Sequence, residues 1–149
     1  MINDEKYMQR AIDIAKKSSE EIPVGVVIVK DNQIISESYN SQHQDKKLIS
    51  HAEIKALILA ELKMDNKNIQ SCTVYTTCEP CTMCAGALIY AKVDRIVYGA
   101  TMSDIDPENN RIKVTIESLV ENKVNAPIIN QCMRQECVNS LYKRFVKLL

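Results

Sequence analysis

Apolar positions near the start of the chain recur at helical spacing. Tyr7, Met8, Ala11, Ile12 and Ala15 share one face while Asp4, Lys6, Arg10 and Lys17 lie on others, which predicts an amphipathic helix ending near Ser18 and Ser19. The period changes after Pro23. Val24-Gly25-Val26-Val27-Ile28-Val29 is short, β-branched and lacks polar alternation, so it reads as a strand buried on both faces. Asp31-Asn32 then leads into Ile34-Ile35-Ser36-Glu37-Ser38, and the two runs are expected to form a hairpin. Asn40 ends the second strand, and Ser41 to Ser50 reads as a polar loop. Ala52 to Leu62 is built of strong helix formers, Ser71 to Thr77 is a third strand, Cys81 to Ala91 a further helix and Arg95 to Gly99 a fourth strand. Beyond these, Ser103 to Arg111 is a polar turn region and Ile112 to Glu121 has no decisive pattern. Val124 to Ile129 is the expected fifth strand, before a helix with Cys137, Val138, Leu141, Tyr142 and Phe145 on one face. Strands alternating with helices, without an internal repeat, predict an α/β sandwich around a central sheet.

Composition narrows the class without changing that picture. The 149 residues suit one domain over 1–149, and 46% hydrophobic with 26% charged residues is ordinary for a chain that builds its own core. Lys plus Arg and Asp plus Glu number 19 each, so a polyanion would have to be met by a local patch and not by a global field. That weighs against nucleic acid. Lys143, Arg144 and Lys147 form the one basic cluster, and it reads first as the solvated face of a helix. No stretch approaches 18 apolar residues and the first residues lack a signal-peptide core, so the expected location is the cytoplasm, with no membrane partner. In that setting the six cysteines stay reduced, and a C-x-x-C means metal or redox chemistry before it means a crosslink.

Cys81-Thr82-Met83-Cys84 opens one helix and His51 opens another. Two thiolates one turn apart plus one imidazole supply three corners of a tetrahedral zinc site and leave the fourth for water. Glu53 stands two residues from the His, placed to handle that water's proton instead of binding metal. Residues two apart on a helix point about 200° away from each other, so His51 and Glu53 share a pocket only if His51 precedes the regular helix. Cys78 extends the motif to C-x-x-C-x-x-C, which leaves open a closed Cys₃His site with a purely structural role. Cys72, Cys132 and Cys137 read as small buried hydrophobes, His43 as solvated, and Asn40 as a turn residue or a ligand contact.

His51-Ala52-Glu53 with Pro80-Cys81-Thr82-Met83-Cys84 resembles the H-x-E and P-C-x-x-C signature of the cytidine deaminase-like zinc deaminases. Ile22 to Val27, Asn40, Tyr75 to Cys81, Cys84 to Ala87 and Arg95 to Ala100 are similar to that family's branch of tRNA adenosine and guanine deaminases, a likeness that runs from Glu5 to Thr101. The resemblance implies a three-layer α/β/α sandwich with a five-stranded mixed sheet, usually a homodimer, that replaces an exocyclic amine by oxygen. It makes His51, Cys81 and Cys84 the ligands of one Zn²⁺ per chain and Glu53 the proton shuttle. Asn40 would hydrogen-bond the base or its sugar, and the N–H of Ala52 the base's carbonyl. On substrate the signals conflict. Thr76-Thr77-Cys78-Glu79-Pro80-Cys81 resembles the free-base enzymes, whereas Val24 resembles the tRNA enzymes, and Asp104 to Asn110 is acidic and unsuited to a phosphate backbone. The first reading is therefore a deaminase of a free nucleobase or nucleoside, guanine- or cytosine-like. A tRNA adenosine deaminase is the alternative, and a non-catalytic zinc module is the third.

Overall fold

A computed structural model describes residues 3–65, 69–105, 114–121 and 123–145, with side chains up to Leu141. The first helix, α1 (Asp4–Ala15), starts at Asn3, whose side chain accepts from the Lys6 N–H at 3.0 Å. β1 (Gly25–Lys30) and β2 (Gln33–Tyr39) form the expected hairpin. Asp31 and Asn32 at its tip have φ of 49° and 60°, both left-handed, as a two-residue turn matched to the strand twist requires. The Ser41 to Ser50 loop differs from expectation by one helical turn, α2 (Gln42–Asp45), which ends where Lys46 turns left-handed with φ 52°. Next come α3 (Ala52–Lys63), β3 (Thr73–Cys78), α4 (Thr82–Tyr90) and β4 (Arg95–Ala100). The short α5 (Met102–Ile105) and α6 (Ile116–Val120) follow, then β5 (Ile128–Gln131) and α7 (Arg134–Phe145).

The fifth strand corrects the sequence reading. Val124 and Asn125 form a turn, Asn125 has φ 58°, and pairing starts only after Pro127, with Ile128 opposite Arg95. Parallel register against β4 set the strand, not the apolar run. The expected polar turn begins instead with α5, while 106–113 lies outside the described residues, as do the side chains of Tyr142, Phe145 and the Lys143, Arg144 and Lys147 cluster.

The sheet order is β2-β1-β3-β4-β5, antiparallel on the β1 side and parallel from β3 to β5. β1 is buried on both faces because a helical layer covers each side. Val26 and Ile28 pack with Val74, Ile96 and the helices α3 and α4, while Val27 and Val29 pack with Tyr75, Val97 and the helices α1 and α7. This is the three-layer α/β/α sandwich with a five-stranded mixed sheet. Each fully buried Val or Ile contributes about 1.5–3 kcal/mol, so the two cores carry most of the fold's stability. Gly25 allows the closest approach, since a Cβ there would sit 2.0 Å from the Ala11 carbonyl oxygen. A larger residue would push α1 off the sheet. Among the described residues no helix is long and apolar enough to cross a membrane.

Candidate metal centre and base pocket

Two helix starts converge at the carboxyl ends of β3 and β4. His51 is the N-cap of α3, with φ −71° and ψ 151°, and Cys81 is the N-cap of α4, with φ −64° and ψ 167°. Both residues are thus extended. His51 Nδ1 lies 3.7 Å from Cys81 Sγ and 3.6 Å from Cys84 Sγ, and the three donor atoms all lie within 4.8 Å of one another. Ordinary zinc bond lengths at a tetrahedral angle require N···S separations of about 3.6 Å, so the donor set fits the ion. The positive helix ends favour the thiolates, and α4 presents its first turn to both sulfurs.

A hydrogen bond from Cys84 brings Cys81 down to about 4, and the same bond drives Cys84 upward. Cys78 stays outside the ligand group. It ends β3 and is packed with Tyr75, Val97 and Ala100, although it also reaches the pocket wall, so the geometry gives no support to a closed Cys₃His site.

Glu53 is 5% exposed, in the first turn of α3, and lines the cavity with His51 and Cys81. Burial pushes its carboxyl upward, toward holding a proton. Thr76 Oγ1 is 3.5 Å from its Oε1 and bonds the Cys78 carbonyl more closely, at 2.9 Å. The separation between His51 and Glu53 is resolved as the helical angle demands, with His51 on the cap and Glu53 inside.

Asn40 also borders the cavity, but its amide already works for the fold. Oδ1 accepts from Ser18 Oγ at 2.7 Å and from the Val24 N–H at 2.8 Å, while Nδ2 donates to the Ile22 carbonyl at 2.8 Å. Among the described residues, one hydrogen of that amide is left over for a ligand. Ala52 is fully buried, and as the first residue of α3 its N–H belongs to those a helix leaves without an internal acceptor.

Sequence reasoning missed the pocket's outer wall. The cavity holds about 200 Å³, less than the roughly 300–1,000 Å³ of drug-sized sites, so it suits one base. Glu20, Glu21 and His43 also line it. The His43 ring is 89% exposed, yet Glu20 accepts from its backbone N–H at 2.8 Å and meets its Nδ1 at 2.5 Å. Glu79, between β3 and α4, is a buried carboxylate that accepts from the Met102 N–H at 2.7 Å and the Ile116 N–H at 3.2 Å. It fastens the starts of α5 and α6 beside the pocket. Asp104 adds a second tie, since its pair with Arg134 at 2.7 Å holds α5 to α7 and its carboxyl at about 2.

Comparison with known proteins bears on this geometry. Residues 1–100 match the cytidine and deoxycytidylate deaminase zinc-binding region. A tRNA-specific adenosine deaminase of Bacillus subtilis (strain 168) is 33% identical over 152 aligned positions, 99% of this chain and 92% of that protein. Among solved structures, one from studies of A-to-I editing by tRNA:A34 deaminases at the wobble position superposes with a TM-score of 0.77 at 26% identity, covering 92% of this chain and 99% of that one. The guanine deaminase of Nitrosomonas europaea has the same fold, with a TM-score of 0.76 at 20% identity over 96% of this chain and 85% of that one. The chain belongs to the cytidine and deoxycytidylate deaminase zinc-binding family and is a zinc-dependent deaminase, a hydrolase of C–N bonds.

Proposed function

We propose that the protein deaminates adenosine to inosine in a tRNA anticodon. The observation that carries this reading is the 33% identity to the Bacillus subtilis tRNA-specific adenosine deaminase, which extends over 99% of the chain and is not confined to the motif. It reverses the order reached from charge and from Cys78. A cavity of about 200 Å³ takes the base and leaves the rest of the nucleotide at the mouth.

In this reading His51, Cys81 and Cys84 would hold the zinc, which when bound would lend Lewis acidity to a water. Glu53 takes a proton from that water and delivers it to the ring nitrogen N1 as the oxygen bonds C6. The second water proton then passes through Glu53 to the exocyclic nitrogen, the C–N bond breaks and ammonia leaves. Burial favours this shuttle, because a carboxyl raised by desolvation holds and releases a proton at small cost. Adenine offers only acceptors besides its amine, which suits the Ala52 N–H and the remaining Asn40 amide hydrogen as its donors.

A free nucleobase is the second reading, favoured by Glu21, an exposed carboxylate on the cavity lining that repels phosphate. A substrate panel decides between them. Inosine is expected to form from an anticodon stem-loop carrying adenosine, with free guanine, cytosine and adenine left unconverted. Faster ammonia release from guanine than from the stem-loop would reverse the order again.

We further propose a homodimer through α3 and α4. Ile58, Leu59 and Leu62 on α3 and Met83 and Tyr90 on α4 are large, exposed and carried by two helices in contact. Sedimentation equilibrium is expected to give twice the 16.9 kDa chain mass, and Leu62→Glu to halve it. A wild-type mass of one chain would remove this proposal.

A further inference from the structure

Gln42 opens α2 and lines the same cavity as His51 and Glu53. Its side-chain oxygen Oε1 is buried and, among the described residues, has no hydrogen-bond partner. Asn40, two residues earlier, has its own carbonyl oxygen fully used, so the two amides on this wall differ in kind. A buried acceptor without a donor is costly and rare in folded proteins, and such atoms concentrate where a ligand supplies the donor.

Position sorts the donors. The inner end of the cavity holds Glu53 at 5% exposure beside the metal ligands, whereas His43, next to Gln42, has an 89% exposed ring. Gln42 therefore stands on the mouth side. The amine to be removed must point to the inner end, and in adenosine the N6 amine and the N9–sugar bond lie on opposite sides of the ring system. The sugar then faces Gln42. Apart from that amine the adenine ring carries only acceptors, so the base has no hydrogen to offer Oε1. Within an RNA chain the 3′ and 5′ oxygens of the ribose are esterified, which leaves the 2′-hydroxyl as the one donor.

We propose that Gln42 Oε1 accepts a hydrogen bond from the 2′-hydroxyl of the target nucleotide and so makes the pocket select RNA over DNA. The inference rests on the adenosine-in-RNA reading above and assigns Gln42 as a specificity-determining residue within it. Gln42→Met keeps side-chain length and removes the acceptor, while Gln42→Glu keeps an acceptor. The substrates are an anticodon stem-loop with adenosine at the target position and the same RNA with a single 2′-deoxyadenosine there.

Wild type is expected to prefer the ribo substrate by about tenfold or more in kcat/KM, the effect of one net hydrogen bond. Gln42→Met is expected to lose that preference by slowing on the ribo substrate alone, and Gln42→Glu to retain it. Equal slowing of Gln42→Met on both substrates, with the ratio preserved, would mark a structural role and overturn the proposal. Equal use of both substrates by wild type would overturn it as well, even if Gln42→Met failed to fold, and would leave the adenosine reading standing. Ammonia release from guanine with neither stem-loop converted would instead remove the adenosine reading, and this inference with it.

Discussion

Glu53→Gln is expected to slow single-turnover deamination by at least about 10³-fold while zinc content and melting temperature stay at wild-type values. General acid–base groups contribute typically 10² to 10⁴-fold, and one carboxylate that serves every proton transfer in the cycle belongs toward the upper end. Glutamine preserves the shape of a side chain that is 5% exposed, so the wall of the pocket stays packed. Glu53 is outside the group of His51, Cys81 and Cys84, so metal retention is independent of the substitution. The competing account makes Glu53 an acidic residue that only complements the dipole of α3, an interaction of about 0.3–1 kcal/mol at an exposed helix start. Its burial speaks against that account, because a solvated first-turn carboxylate would not line a cavity floor. Zinc analysis and rapid-quench turnover on one preparation separate the two. A rate within tenfold of wild type at full zinc occupancy would end the proton-shuttle assignment.

How much of this could be read from the chain depends on the distance over which each feature is built. The metal centre was legible because its parts are local. Cys81 and Cys84 are one helical turn apart, and a His-x-Glu pair can share a pocket only from a helix start, which is where His51 sits, with ψ 151°. The strands were legible where an apolar run lies between two layers, as in Val26 to Val29, buried on both faces. Features made by long-range pairing were not. Glu79 acts through backbone N–H groups 23 and 37 residues away, and Glu20 reaches the rim only by bonding His43, 23 residues on. No local pattern marks such partners. β5 was displaced because the apolar run of Val124 to Ile129 said nothing about the left-handed Asn125 or the parallel register with β4. Substrate class was not legible for a related reason. A balanced total of 19 cationic and 19 anionic residues is an average over the chain, and recognition of one nucleotide depends on a few groups at one cavity mouth.

Removing both thiolates, in Cys81→Ser/Cys84→Ser, is expected to abolish zinc binding and turnover and to lower the melting temperature, whereas Cys78→Ser keeps zinc and most activity. The argument is geometric first. Cys81 and Cys84 each stand within 3.7 Å of His51 Nδ1, while Cys78 is absent from the group of donors that close on one another and lies 3% exposed against the α1–α7 core. Loss of two of three ligands leaves an imidazole alone, which cannot hold the ion against ordinary chelators. The stability effect follows from linkage, because a ligand that binds only the folded state adds about 4.1 kcal/mol when present at 1,000 times its dissociation constant. It is concentrated where α3 and α4 begin, two helix starts that carry no side-chain cap hydrogen bond and that the ion would tie together. Wild type treated with a chelator should therefore melt at the temperature of the double variant, and zinc should restore wild type only. Cys78→Ser replaces a buried sulfur by a hydroxyl in an apolar cluster, so it is expected to soften the core slightly while leaving one zinc equivalent in place. Loss of the metal in Cys78→Ser would establish the closed four-ligand site and remove the open position that hydrolysis needs, and retention of a full equivalent by the double variant would remove these thiolates from the site altogether.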